Sequence, residues 1–277
     1  MRVTIFGASG LLGKALIREW SVDAVTGFNS RDADIRDSAA VQKAAQATNP
    51  DWIVLAAAYT DVDGCEANRD FAFAVNRDGA VNVAAAARTV GARLLFLSSD
   101  YVFDGRKRSP YETSDERNPQ GVYGRTKAEA EVKLLETNPE CCVVRTSWLF
   151  GIGGKCFPDT ILKLAASRPA IDVVHDQRGC PTYAEDLARA IVKLCRQNAS
   201  GIVHATNAGD CTWFEFAQQI VAMAGLPATV RPVSSMQMAR PAPRPAYSVL
   251  SPASLHSFGI EMPAWRDALQ RYLKLRG

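Results

Sequence analysis

Three glycines in one register constrain this chain more than any other feature. Gly7-Ala-Ser-Gly10-Leu-Leu-Gly13 follows directly on the apolar run Val3-Thr-Ile-Phe6. After a strand, the first glycine permits a tight turn and the second lets an anion approach the backbone. The third allows the following helix to pack on the strand, and the N-terminus of that helix attracts negative charge. The spacing is G-x-x-G-x-x-G rather than G-x-G-x-x-G. With Gly7, Gly10 and Gly13, the intervening Ser9, Leu11 and Leu12 are read as cofactor-binding positions. The plainer alternative is a tight βα turn with nothing bound.

Downstream, short β-branched runs alternate with longer helical patterns. Strands are expected at Val3–Phe6, Ala24–Thr26, Trp52–Leu55, Arg93–Leu97 and Cys142–Arg145. Helices are expected at Leu11–Trp20, Ser38–Thr48 with Asp37 as N-cap, and Asp78–Val90, with another around Tyr123 opened by Asn118-Pro119. Continuous apolar strands alternating with helices predict an α/β fold, a doubly wound parallel sheet covered on both faces. Past Phe150 the pattern loosens, with a helix near Phe157–Ser167, a strand near Ile171–Val174, a helix near Ala184–Cys195 and a last helix ending at Leu275. Residues 1–150 are read as the nucleotide-binding domain, with contributions from about 170–210, and 151–277 mostly as a smaller interwoven substrate lobe.

Composition excludes several classes of function. At 277 residues, 47% hydrophobic, 22% charged and net charge +3, the chain reads as an ordinary globular protein. The compact basic cluster Arg106-Lys107-Arg108 lies among acids and reads as a solvated loop, not a nucleic-acid surface. Seven cysteines, an odd number without a Cys-x-x-Cys pair, imply reduced thiols in a cytoplasmic protein and no zinc site. No segment approaches the ~18 uninterrupted apolar residues that a membrane span needs.

The second strand leads into Gly27-Phe-Asn-Ser-Arg31. An acid there would hold a ribose 2′-hydroxyl, whereas Asn29, Ser30 and Arg31 suit a 2′-phosphate, so NADP is favoured and NAD stays possible. Asp34 and Ile35 are placed to meet the adenine. Tyr123 and Lys127 stand at i and i+4 on one helix face, where an ammonium favours a phenolate and so tunes the phenol for proton transfer to a carbonyl-derived oxygen. Strand four ends in Ser98-Ser99-Asp100-Tyr101-Val-Phe-Asp-Gly105, which puts Ser99 at the crevice to hydrogen-bond a carbonyl.

Together these blocks resemble the dTDP-4-dehydrorhamnose reductase family of extended short-chain dehydrogenase/reductases. The resemblance runs through Ala56–Asp63, Val75-Asn76, Arg145-Thr-Ser-Trp-Leu-Phe-Gly151, Asp176–Thr182 and Pro243-Arg244-Pro245. It implies reduction of the 4-keto group of a nucleotide-activated 6-deoxyhexose, dTDP-4-dehydro-L-rhamnose above all. Ser99, Tyr123 and Lys127 match the family's catalytic trio. Ala57 and Ala58 match residues that line the nicotinamide side, with Tyr59 beside them as a further cofactor-binding position, and Thr60, Val62, Asp100, Tyr101 and Trp148 match positions that meet the sugar. For Trp148 a place in the core is an equal alternative. Arg244 matches an arginine that approaches the diphosphate. The family's Asn-Ala-Ala is here Leu55-Ala56-Ala57, and a frequent His is Tyr59. Some members bind Mg²⁺ at a dimer interface. Glu185 fits one such position, but Arg266 stands where an acid is expected, which leaves Mg and the choice between monomer and homodimer open. Two rival readings remain: an NAD-dependent sugar-nucleotide epimerase or dehydratase, and a regulatory subunit resembling the β subunit of methionine adenosyltransferase.

Overall fold

The computed structural model describes residues 1–276. Its core strands are β1 (Arg2–Phe6), β2 (Ala24–Phe28), β3 (Trp52–Leu55), β4 (Arg93–Ser99), β5 (Cys142–Thr146) and β6 (Gly201–His204). All neighbours are parallel, in the order β6-β5-β4-β3-β1-β2. Five helices matter most for the site: α1 (Leu11–Glu19), α2 (Ser38–Thr48), α3 (Gly79–Thr89), α4 (Val122–Thr137) and α5 (Ala184–Arg196).

The alternation of side chains along each strand divides the core in two. Val3, Ile5, Val54, Leu95, Leu97 and Val144 pack under α1 and α5. Ile53, Leu55, Leu94, Phe96 and Val143 pack under α2, α3 and α4. Both faces are therefore apolar, which is why these strands read as unbroken hydrophobic runs. From β1 the sheet proceeds to β2 on one side and β3 on the other. This reversal opens the crevice in which a ligand binds, outside the carboxyl ends of β1 and β3.

Several expected elements shift. The second strand runs on to Phe28, because its register with β1 continues through Phe6. The third helix begins at Gly79 after a π-helical turn, Ala74–Asp78. Asn118 does not cap α4. It donates its side-chain amide to Asp104, and the helix starts at Val122, whose N–H is satisfied by Glu66 Oε1 at 2.7 Å. The strand Ala170–Val174 lies outside the main sheet and pairs with Thr229–Val233. The sixth core strand is instead Gly201–His204, whose apolar pair Ile202-Val203 is too short to show a period.

The smaller lobe has its own core, where Phe150, Tyr183, Phe216, Trp265 and Tyr272 cluster. The helices Phe157–Ser167, Trp213–Met223 and Trp265–Arg276 supply much of it. Among the described residues, no helix is long and apolar enough to cross a membrane. All seven cysteines are free and buried.

The predicted cap on α2 is present: Asp37 Oδ1 accepts from the N–H groups of Ala39 at 2.9 Å and Ala40 at 3.1 Å. Asp37→Ala is expected to cost about 0.5–2 kcal/mol of stability in urea denaturation. An unchanged midpoint would show that solvent satisfies those amides equally well.

Candidate active site

The turn after β1 is built around absent side chains. Gly7 has φ +93°, and a Cβ on it would lie 2.4 Å from Ala57 N. On Gly13 a Cβ would lie 2.2 Å from Gly7 O, so α1 sits directly on the turn. Gly10 precedes α1 without any side-chain cap, leaving the first amides of the helix free for an anion. Ser9 is exposed beside it. Leu12 turns into the core and Leu11 packs beneath Gly151 and Gly154, so these two serve the loop through their backbone. A cavity of about 300 Å³ continues from Gly7 past Asn29, Ser30, Asp34, Ile35, Ala57 and Ala58. A cradle that a Cβ would fill, an uncapped helix start and an adjoining cleft fit a dinucleotide.

Within that cleft the guanidinium missed by the sequence reading is Arg36. It bonds Asp34 through Nε at 3.0 and 3.1 Å and lies 5.0 Å from the Phe71 ring. Arg31 donates its main-chain N–H to Asn29 Oδ1 at 2.8 Å, and its side chain is exposed. Asn76, another residue without an assigned role, holds the Ala57–Tyr59 loop. Its Oδ1 accepts from Tyr59 N at 2.7 Å, while its Nδ2 donates to Tyr59 O at 3.0 Å and Thr126 Oγ1 at 3.1 Å.

At the end of β4, Ser99, Asp100 and Tyr101 turn over α4. Ser99 donates to Asp100 Oδ1 at 2.9 Å and accepts from Tyr101 N at 3.2 Å. Tyr101 and Tyr123 meet edge to face, with ring centroids 5.8 Å apart. A Cβ on Gly124 would lie 2.1 Å from Tyr101 O, so only glycine lets α4 come this close. That approach is what brings Tyr123 to Ser99.

Burial governs the ionisation of the cluster. Desolvation pushes the Tyr123 phenol above its ordinary value, Asp100 adds to this, and the hydrogen bond with Ser99 works the other way. Desolvation also lowers Lys127 to about 7, against Glu131, which raises it. Asp100 is raised to about 6 by burial, and its Oδ2 has no hydrogen-bond partner. The expected lowering of the tyrosine pKa by Lys127 is thus not what this fold produces. Lys127 is 2% exposed and lies 4.3 Å from the Phe96 ring, so burial weakens the charge that was to act on Tyr123. A phenol kept protonated is the form that donates a proton.

A larger cavity of about 990 Å³ begins at Tyr101 and extends between Phe157, Trp213, Gln177 and the segment around Arg240–Arg244. The Arg244 fork is engaged by Asp63, with Nη1 and Nη2 at 2.8 and 3.0 Å from its oxygens. Arg240 approaches the same carboxylate at 3.4 Å. These contacts, Arg244 first, hold Asp63 at about 2. Thr60 and Val62 flank Asp61, which caps the short helix Val62–Ala67 through Gly64 N. Trp148, at φ +47°, lies flat on Trp213 with centroids 3.5 Å apart and covers Gly179. Trp213 is the member of that stack that lines the cavity, a role its sequence context did not reveal.

Among the described residues, no group of three His, Cys, Asp or Glu is placed to hold a metal. Glu185 is paired with Arg18, and Arg266 lies 4.4 Å from the Trp265 ring.

A doubly wound sheet with a glycine cradle at its reversal point, a Ser at the end of its fourth strand and a Tyr-x-x-x-Lys pair on the helix that packs there defines an extended short-chain dehydrogenase/reductase. The model of the RmlD substrate binding domain matches residues 1–276, and the chain belongs to this family, that of the dTDP-4-dehydrorhamnose reductases. It is an NAD(P)H-dependent oxidoreductase. It is 42% identical over 278 residues to a dTDP-4-dehydrorhamnose reductase of Mycobacterium tuberculosis, covering 97% of this chain and 91% of that one. The solved dTDP-4-dehydrorhamnose reductase of Clostridium acetobutylicum superposes with a TM-score of 0.97 at 37% identity, covering 100% of this chain and 99% of that one. That of Bacillus anthracis, in complex with NADP, gives 0.96 at 39% identity, covering 99% of each chain.

Gly124→Ala tests the close approach directly. Forcing a methyl against the Tyr101 carbonyl is expected to cost about 1–3 kcal/mol in urea denaturation. A variant as stable as wild type would show that the turn yields freely.

Proposed function

We propose that this protein reduces the 4-keto group of a dTDP-activated 6-deoxyhexose, dTDP-4-dehydro-L-rhamnose giving dTDP-L-rhamnose, with NADPH as the preferred cofactor. The observation that carries this reading is the contact of Tyr123 with Ser99 and Tyr101 at the end of β4, where the larger cavity begins, with Lys127 one turn along the same helix.

When bound, the reduced nicotinamide supplies the hydride for C4. The chain does the rest by orientation and proton delivery. Ser99 donates a hydrogen bond to the ketone oxygen, and Tyr123, kept protonated by burial, passes its proton to that oxygen as charge develops. Lys127 holds the nicotinamide ribose, which orients the reacting face. Gly7, Gly10, Gly13 and the start of α1 receive the pyrophosphate, and Asp34, Ile35, Ala57 and Ala58 enclose the adenosine. Asp100 and Tyr101 meet the sugar, with Thr60 and Val62 at the rim. Trp148 acts through Trp213. Arg244 and Arg240 present positive charge to the diphosphate, and the substrate competes there with Asp63.

Turnover of dTDP-4-dehydro-L-rhamnose against a panel of other 4-keto sugar nucleotides, followed by NADPH absorbance, tests the reading. No consumption with any of them would favour the regulatory-subunit reading. Tyr123→Phe is expected to lower kcat by about 10²–10⁴ with cofactor affinity within a few-fold. A variant that keeps more than about a tenth of the rate would remove Tyr123 as the acid.

Cofactor choice rests on Arg31 at the carboxyl end of β2. Arg31→Ala is expected to weaken NADPH by about 1–3 kcal/mol and to leave NADH nearly unchanged. If NADPH binding survives in this variant and fails in Arg36→Ala, the 2′-phosphate belongs to Arg36.

A further inference from the structure

Beneath Tyr123 and Lys127 lies a buried ion cluster that the chemistry so far does not use. Tyr123, Lys127 and Glu131 follow one another at i, i+4 and i+8 along one side of α4. Glu131 is fully buried. Arg145, also fully buried on β5, donates Nε to Glu131 Oε1 at 2.9 Å and Nη2 to Oε2 at 2.6 Å. Arg117 adds Nε to Oε2 at 2.6 Å, and Ser98 of β4 donates its hydroxyl to Oε1. In register, Ser98 lies beside Arg145, and Arg145 beside His204 of β6. A row of polar side chains thus crosses three strands under α4, on a face that is otherwise apolar.

Stability does not account for such a row, because well-packed apolar residues serve as well as or better than a buried ion pair. Its charges point elsewhere. Two guanidinium groups, Arg145 and Arg117, surround one carboxylate. His204 is held neutral, at about 3, by burial and then by Arg145. Burial pushes the Cys141 thiol, which also feels Glu131, well up and keeps it uncharged. Lys127 has the Phe96 ring on its sheet side and Glu131 one turn along its own helix. Without that carboxylate no charge in the cluster would oppose the desolvation of the ammonium.

We propose that Glu131 is a positioning residue for the reduction. Anchored by Arg145, Arg117 and Ser98, it keeps Lys127 an ammonium one turn from Tyr123 and tethers the strand end that carries Ser99. The role in turnover rests on the reductase reading, whereas the effect on Lys127 rests on the arrangement of charges alone. Desolvation takes Lys127 down to about 7 and Glu131 opposes it, so loss of Glu131 moves the ammonium's titration to lower pH.

The test is the Lys127 titration in the full-length protein labelled at lysine Cε, with its resonance assigned by Lys127→Met. In Glu131→Gln the midpoint is expected to fall by about one pH unit, a tenfold loss of proton affinity, and Glu131→Asp is expected to restore most of it. Arg117 is partly exposed, so Arg117→Gln provides a second reading should Glu131→Gln fail to fold. Removing that cation is expected to raise the midpoint. A midpoint that stays put in either folded variant overturns the proposal. In turnover, the alkaline limb of kcat is expected to move to lower pH in Glu131→Gln by the same amount, with KM for the sugar nucleotide little changed. A titration that moves while the kcat profile does not would reduce Glu131 to a structural role and overturn the proposal. Absence of turnover in the wild type would count against the reductase reading and leave the Lys127 titration to decide this one.

Discussion

The site depends on how closely α4 lies against the carboxyl end of β4. At its first turn, Gly124 leaves no room for a side chain beneath the Tyr101 carbonyl. Two turns later Glu131 is bound to Ser98 and Arg145 on the strands below. The helix is therefore pinned at two points, by shape at one and by charge at the other. Removing one partner of such a buried pair typically costs about 3–5 kcal/mol, because the other charge is left uncompensated. Tyr123 adjoins the first of these fixed points and Lys127 lies between the two, so both are held in place.

Burial decides the chemistry of the groups so placed. The same desolvation raises Tyr123 and Asp100 and lowers Lys127, which brings the carboxyl and the ammonium toward neutral pH from opposite directions. For a reduction this is the useful sense, since the phenol must begin with its proton. The tuning comes less from the i, i+4 neighbour than from the sheet beneath, which excludes water.

Polar ties join the two lobes. Asp63, at the start of a short helix after β3, accepts Arg244 and Arg240 from the proline-stiffened segment of the smaller lobe. Lys14 of α1 donates to Gly153 O at 2.6 Å on the other side of the glycine turn. The first of these ties borders the larger cavity, which Arg240 and Arg244 line. Binding energy gained there acts on the relation of the lobes as well as on affinity.

Much of this protein was legible in its sequence. The glycine turn, the parallel strands and the cap at Asp37 all follow from local periodicity, backbone sterics or short motifs, which are properties of neighbours in the chain, and short motifs are also what single out Ser99, Tyr123 and Lys127 as candidates. What the sequence could not show depends on neighbours in space. Gly201–His204 became the sixth strand only because β5 offered it an open edge. Trp213 came to line the cavity because it stacks on Trp148, and Arg36 reached the cleft by folding back onto Asp34. Lys127 lost the charge-tuning role that its spacing suggested because tertiary burial, invisible in a helical repeat, outweighs an i, i+4 interaction. The chain by itself determined most of the elements that form and which side chains are candidates for the chemistry. Only the tertiary structure decided which of them are desolvated, since exclusion of water is a property of the packed whole.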